Sequence, residues 1–192
     1  GGTLYLIKVD SSLQRQKMVT VVEDDPPTND MFLAGDGSKV YVGKFKPGTG
    51  HDVYTYTGDL AREGNVITVG GGDYTHANGA ATLYQNGQFI VLAPQTLSPT
   101  QNGALYKLVF DSSWEPVGTR TTLVSDPGNL SLVTGLSFED TTNNYIVNYQ
   151  HSGSGGGPIA FTVFDSSWKQ LYSQDLISGE WHRPHSVIVN NT

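Results

Sequence analysis

The chain contains no cysteine, which excludes disulfide bonds and metal sites built from thiolates. Charged residues are also scarce, at 15% of the 192 residues. The net charge of −7 and the absence of a Lys/Arg cluster disfavour a nucleic-acid surface, and they disfavour anionic membranes for the same reason. No apolar run approaches the roughly 18 residues of a membrane-spanning helix. We therefore expect no nucleic-acid partner and no membrane insertion.

Glycine (23 residues) and tyrosine (ten residues) are abundant instead, together with Thr, Ser and Asn. Aromatic and β-branched residues favour strands, whereas glycine and asparagine favour turns. The composition is therefore typical of an all-β protein with many turns. The length of the chain suits one domain with a substantial core.

One short segment recurs along the chain. Residues 105–114 (LYKLVFDSSW) return almost unchanged as residues 159–168 (IAFTVFDSSW), and residues 4–13 (LYLIKVDSSL) are a third copy. Residues 52–60 (DVYTYTGDL) are a degenerate fourth copy, so the starts lie about 50 residues apart, which predicts stacked β units. Each of the three clear copies is an alternating strand that ends at Asp-Ser-Ser, whose side chains can close a turn that Trp or Leu then caps.

The alternation of apolar and polar residues around these copies predicts four-stranded meanders. Meanders of about 40 to 50 residues without helices are the signature of a β-propeller, in which each blade buries its faces against its neighbours. The sequence therefore predicts one all-β domain over residues 1–192, a propeller of about four blades. Three blades are complete, and both termini supply the closing or partial blade. The predicted units are two strands at 4–22, complete blades at 30–70, 79–124 and 132–178, and one inner strand at 185–191.

Residues 36–43 (DGSKVYVG) resemble the YVTN-type propeller repeat, in which a glycine-containing turn leads into a Tyr-Val pair on the second strand of a blade. The resemblance covers one short stretch per blade. It implies the propeller fold and no particular activity.

The strand count leaves the terminal blade one strand short. The termini can close a three-stranded blade, another copy of the chain can supply the missing strand, or the residues can be a piece of a larger propeller. An open blade edge exposes backbone donors and acceptors that pair readily with a neighbour, so self-association through the incomplete blade is an alternative to closure.

In a propeller, the loops that join successive blades leave on the same face as the loops between the second and third strands of each blade. We call this side the loop face. The opposite side receives the Asp-Ser-Ser turns and other turn residues. Because loops on rigid strands carry binding residues, the loop face is the predicted binding face. It receives all five histidines, His51, His76, His151, His182 and His185.

Two loops on the loop face, residues 73–79 (DYTHANG) and 179–186 (GEWHRPHS), are the richest in aromatic, imidazole and polar side chains. Such a mixture suits a sugar, whose apolar ring faces stack on Tyr or Trp while its hydroxyls bond to polar groups. Aromatic packing between blades and histidine bonds to loop carbonyls would give the same pattern without a ligand. The predicted ligand-binding residues are Tyr74, His76, Asn78, Trp181, His182, Arg183 and His185.

An acidic residue also stands six or seven residues before each inner strand. Four carboxylates around a pseudo-symmetric axis could hold a hard cation such as Ca²⁺ near the central channel, with backbone carbonyls and water completing its shell. The same acids could instead cap their own loops by accepting backbone N–H bonds. The predicted metal ligands are Asp25, Asp73, Asp126 and Glu180.

Together these features predict a non-catalytic module that binds a glycan or another small polar ligand and is secreted or displayed at the cell surface. Two other functions stay open. One is a structural subunit that self-assembles by completing its partial blade. The other is a hydrolase or lyase at the channel mouth, with Asp73 and Glu180 as an acid–base pair. The sequence has no Ser nucleophile elbow, phosphate loop or zincin motif, which disfavours the enzyme.

Overall fold

The computed structural model describes residues 2–25, 31–46, 50–70, 80–95, 103–126, 130–151 and 158–177. These residues form fourteen β-strands and no helix, so the predicted all-β class is confirmed. Across the same ranges, no helix has the length and apolar character that crossing a membrane requires.

The strands form four antiparallel sheets, one of two strands and three of four, in which the strands follow chain order. Sheet I contains β1 (Gly2–Val9) and β2 (Arg15–Asp25). Sheet II contains β3 (Met31–Gly35), β4 (Lys39–Lys46), β5 (Gly50–Thr57) and β6 (Arg62–Gly70). Sheet III contains β7 (Ala81–Gln85), β8 (Gln88–Gln95), β9 (Gly103–Asp111) and β10 (Thr121–Asp126). Sheet IV contains β11 (Leu130–Glu139), β12 (Asn144–His151), β13 (Ile159–Phe164) and β14 (Gln170–Ile177).

The predicted repeat of four-stranded antiparallel meanders is therefore confirmed. The inner strand predicted at residues 185–191 lies outside the described residues.

The aspartates of the repeated segment close the turns by bonding to their own backbone. Asp111 accepts hydrogen bonds from the N–H groups of Ser113 (2.8 Å) and Glu115 (3.0 Å). Asp165 accepts the equivalent pair, and the hydroxyl of Ser167 also donates to it. The Ser167 hydroxyl and then the backbone donors hold the pKa of Asp165 below its ordinary value. The turn predicted from Asp-Ser-Ser thus forms by a purely local mechanism.

The residue after each Asp-Ser-Ser triplet has left-handed backbone, with φ of 59° at Leu13 and 65° at both Trp114 and Trp168. This conformation is costly for a residue other than glycine, so something must compensate for it. At all three positions the backbone N–H donates to the carbonyl of the Asp three residues earlier, and this local bond is present even at Leu13, which is exposed. At Trp114 burial adds to it, because the side chain is only 3% exposed and stacks on Phe89 with ring centroids 4.0 Å apart. Trp114 also stacks on Phe32 of sheet II, so one turn residue packs two sheets together.

The four sheets pack face to face in the order I, II, III, IV through three apolar clusters. Sheet I meets sheet II around Val21, Val42 and Tyr56. The other two clusters are larger and join sheets II and III, and sheets III and IV. Their central residues include Phe32, Tyr41, Val53, Phe89, Val91 and Trp114 in one, and Leu92, Leu105, Val147, Tyr149 and Phe164 in the other.

Close packing within sheet II requires glycine at one position. The ring of Phe32 lies over Gly43, and a Cβ added there would lie 2.1 Å from the Phe32 Cε1 atom. No side chain fits at that distance, so only glycine at position 43 lets β4 pass beneath the ring.

The first strand of each four-stranded sheet is an edge strand, because it pairs with one other strand among the described residues, and we call it the inner strand. These strands meet one another: β3 packs against β7, and β7 packs against β11. One edge of each inner strand is thus turned away from its own sheet, towards the region that the inner strands share.

Candidate functional site

The strand registers define the loop face in the structure. In sheet II, Met31 pairs with Lys44, Lys46 pairs with Gly50, and Gly50 pairs with Gly70. The start of β3 therefore lies at the same end of sheet II as the loop between β4 and β5. The end of β6 lies there too. The chain enters and leaves each four-stranded sheet at the end that carries the loop between its second and third strands.

The predicted ligand-binding residues fall outside the described residues, as do the predicted metal ligands Asp73 and Glu180. Asp25 is the last residue of β2 and Asp126 the last residue of β10, so the backbone of both reaches the loop face. Within the described ranges no three His, Cys, Asp or Glu side chains converge into a metal site. The glycan site at Tyr74, His76, Asn78, Trp181, His182, Arg183 and His185 and the calcium site stay predictions.

The prediction that all five histidines belong to the binding face does not hold for the side chain of His51. It lies near the start of β5, at the loop-face end, but its side chain is completely buried. Its ring centroid lies 5.3 Å from that of Phe32 and 5.6 Å from that of Phe45. Burial lowers the pKa of His51 to about 4, and the charge of Asp52 opposes this effect only in part. His51 is therefore a neutral core residue at pH 7.

A pocket of about 460 Å³ is lined by residues from all four sheets. Its volume falls within the range of roughly 300 to 1,000 Å³ that is usual for small-molecule sites. Strands β1, β3, β7 and β11 all contribute to its wall. The described lining residues are Leu4, Tyr5, Leu6, Met31, Phe32, Leu33, Val42, Ala80, Ala81, Thr82, Gly135 and Leu136.

The wall of this pocket, which we call the axial pocket, is largely aliphatic. None of its described lining residues is charged. Leu33 is 62% exposed and Met31 is 42% exposed, although both are large apolar side chains in the middle of the molecule. The hydroxyl oxygen of Thr82 is buried and has no hydrogen-bond partner within the described part of the chain. The pocket thus exposes large apolar side chains, whereas the Thr82 hydroxyl oxygen is not accessible from it.

Three of the predicted binding residues, Tyr74, His76 and Asn78, come just before the pocket wall in the sequence. Residues 73–79 end immediately before Ala80, and Ala80, Ala81 and Thr82 all line the pocket.

No model of a known protein family matches the chain, and no curated protein matches its sequence significantly. Function must therefore be inferred from the axial pocket and the strand ends around it.

Sequence reasoning missed the axial pocket, although one signal was present. In β3, Met31 and Leu33 are exposed, whereas Phe32 and Ala34, which alternate with them, are buried. All four side chains are apolar. A strand that is apolar on both sides has two apolar environments, and only one of them is the core between sheets. The second environment of β3 is the axial pocket.

A second pocket, of about 550 Å³, opens at the opposite end of sheets III and IV. Its wall includes Tyr84, Tyr145 and the turn residues Asn86 and Asn143. Tyr145 donates a hydrogen bond to Gln85, and both asparagines have left-handed backbone, with φ of 51° and 54°. These residues have structural roles in turns and in packing, so this pocket is the weaker candidate.

Proposed function

We propose that the chain is a β-propeller module that binds a glycan on its loop face, at the mouth of the axial pocket. The observation that supports this most strongly is that one pocket is lined by β1 and by the inner strands of the three four-stranded sheets. Inner strands surround a central channel in this way in propellers, and ligands bind where loops from several blades converge at the end of such a channel.

Closure of the ring is part of this proposal. Sheets I and IV are the two ends of the stack, and sheet I has only two strands among the described residues. Between sheets, the chain returns from an outer strand to the next inner strand through residues 26–30, 71–80 and 127–129. Residues 178–185 are long enough for one more return. We propose that residues 186–190 (SVIVN) then pair with the free edge of β1 and complete a fourth blade.

A glycan suits the chemistry of residues 73–79 and 179–186, which we propose to surround the pocket mouth. Tyr74 and Trp181 offer flat apolar faces for a sugar ring, while His76 and Asn78 offer hydrogen-bonding groups for its hydroxyls. Tyr74, His76 and Asn78 lie within seven positions of Ala80, which is in the pocket wall. As a glycan-binding module the protein would act outside the cytoplasm, secreted or at the cell surface.

Replacing Tyr74 by alanine is expected to weaken glycan binding by about two- to twelvefold, since an aromatic stacking contact contributes about 0.5–1.5 kcal/mol. A glycan array identifies the best ligand, and isothermal titration calorimetry then measures its affinity for both proteins. Tyr172→Ala is the matched control, because Tyr172 is an exposed tyrosine on the outermost strand of sheet IV. Equal affinities for Tyr74→Ala and the wild type, at equal thermal stability, would exclude Tyr74 as the platform.

A second candidate function, self-assembly, is favoured by one face of sheet I. Tyr5, Ile7 and Val9 alternate along β1, and each is about half exposed, as is Met18 on β2. A two-stranded sheet with an open apolar face can accept a strand or a sheet from another copy. A molar mass that rises with concentration in light scattering would favour this function, whereas a constant monomer mass would exclude it.

A further inference from the structure

Beyond its structural roles, the second pocket, at the opposite end of sheets III and IV, has open polar side chains. We call it the turn pocket, because its described lining residues come from β7, β11 and β12 and from the hairpin turns β7–β8, β11–β12 and β13–β14. Its volume of about 550 Å³ lies in the usual range for small-molecule sites. Strand β1 is not in its described wall, so residues 186–190, which we propose to pair with β1, do not occupy it.

Four exposed polar residues of the turn pocket keep their side chains free for a ligand. The turns use the backbones of Asn86 and Asn143, which are left-handed, and neither side-chain amide bonds to another described group. The Asp140 carboxylate and the Ser166 hydroxyl also have no hydrogen-bond partner in the described part of the chain. Each hairpin turn around the pocket thus contributes at least one unused polar group.

The wall between the two sheets adds hydrogen-bond donors from Gln85. The Tyr145 hydroxyl of sheet IV donates to the Gln85 Oε1 atom, which leaves the amide N–H groups of Gln85 without a described acceptor. Asp140 also differs from its neighbour Glu139, whose carboxylate accepts bonds from backbone N–H groups of its own turn. The pocket therefore offers both donors and acceptors, together with one carboxylate that no described cation neutralises.

We propose that the turn pocket binds a neutral saccharide, at a site separate from the glycan site proposed on the loop face. Sugar hydroxyls both donate and accept hydrogen bonds, as do the three side-chain amides of the pocket. The partly exposed rings of Tyr84 and Phe138 supply apolar surface for the face of a sugar ring.

The same lining disfavours three other kinds of ligand. An anion would meet the Asp140 carboxylate and no cationic residue among the described lining. An ammonium group only donates, so it would leave the amide donors unused. A single carboxylate also falls short of the charged ligand set of a typical calcium site.

The side-chain amides provide reporters inside the pocket and controls outside it. In ¹⁵N–¹H correlation spectra, titration with the methyl α-D-pyranosides of glucose, galactose and mannose should, for at least one sugar, shift the amide signals of Gln85 and Asn143. The amide signals of Gln14 and Gln16, at the turn of sheet I, should stay in place. No shift with any of the three sugars at high millimolar concentration, or equal shifts in both groups, would overturn the proposal.

Substitution of the unpaired carboxylate tests the contribution of the pocket. Asp140→Ala should raise the Kd for the sugar about tenfold, because it removes a charged hydrogen-bond acceptor. The protein should stay folded, since Asp140 is exposed and bonds to no described group. Glu115→Ala is the matched control, because it removes the same charge from an exposed residue of the β9–β10 turn outside the described lining. Equal loss of affinity in both variants would overturn the proposal.

Two further variants distinguish this site from a cation site and from the loop-face site. Asp140→Asn removes the charge but keeps an acceptor, so it should weaken saccharide binding less than Asp140→Ala does. Binding of n-butylammonium without binding of any saccharide, and its loss in Asp140→Asn, would overturn the proposal in favour of a cation site. Tyr74→Ala should leave the Gln85 and Asn143 shifts unchanged even where it abolishes binding on the loop face, so each of the two sites can fail without the other.

Discussion

Replacing Trp114 by alanine is expected to lower the free energy of unfolding by about 3–5 kcal/mol, which is usual for truncation of a large buried aromatic side chain. Trp114 stacks on Phe89 at 4.0 Å, with an angle of 8° between the rings, and it also contacts Phe32 and Tyr41 of sheet II. Its removal would leave a cavity at the junction of two sheets. Urea denaturation followed by circular dichroism measures the change.

The repeat itself provides two matched controls for this substitution. Trp168 occupies the same turn position in sheet IV, stacks on Tyr145 at 4.0 Å and is only partly buried, so Trp168→Ala should cost less. Leu13 occupies the position in sheet I and is 80% exposed, so Leu13→Ala should change stability by less than about 0.5 kcal/mol. Similar losses in all three variants would show that the turn, and not the packing of the sheets, determines the effect.

Stability is expected to fall as the pH falls from about 6.5 to about 4, by up to about 3 kcal/mol, because of His51. The pKa of this buried imidazole is lowered to about 4 in the folded protein, chiefly by burial. In this pH window the unfolded chain binds a proton at His51 that the folded chain excludes, so acid favours unfolding. Well above pH 6.5 both states are neutral at this position, and the effect vanishes.

Urea denaturation at pH 7, 6, 5 and 4.5 tests this prediction against His51→Phe, which keeps an aromatic ring between Phe32 and Phe45 and cannot be protonated. The variant is expected to lose less stability than the wild type over this range, whatever its stability at pH 7. The difference between the two slopes isolates His51 from the carboxylates that also titrate in acid. Parallel slopes would mean that His51 is accessible to protons in the folded state.

The all-β class and the four-stranded meanders could be predicted because their causes are local. Alternation of residue types marks each strand, and Asp111 and Asp165 close their turns through bonds to residues two and four positions away. A contact of this range is determined by the short segment that contains it, so a repeated segment gives a repeated turn.

The burial of His51 and the axial pocket could not be predicted, because both depend on how distant segments pack. His51 belongs by sequence to a polar loop end, and the packing of Phe32 and Phe45 from two other strands turns its surroundings into core. The pocket needs β1, β3, β7 and β11, from across the chain, to come together. Strand alternation indicates which residues share a face, but it does not indicate what covers that face.

Cross-linking of β1 to the last predicted strand tests most directly whether the sheets close into a ring around the axial pocket. The chain has no cysteine, so Ile7→Cys combined with Ile188→Cys gives a single reactive pair. With a short bismaleimide at low protein concentration, the account predicts efficient cross-linking within the monomer. Ser113→Cys with Ile188→Cys, which pairs the same strand with the β9–β10 turn, should stay uncross-linked. Cross-linked dimers alone, or equal yields for the two pairs, would contradict closure of the ring.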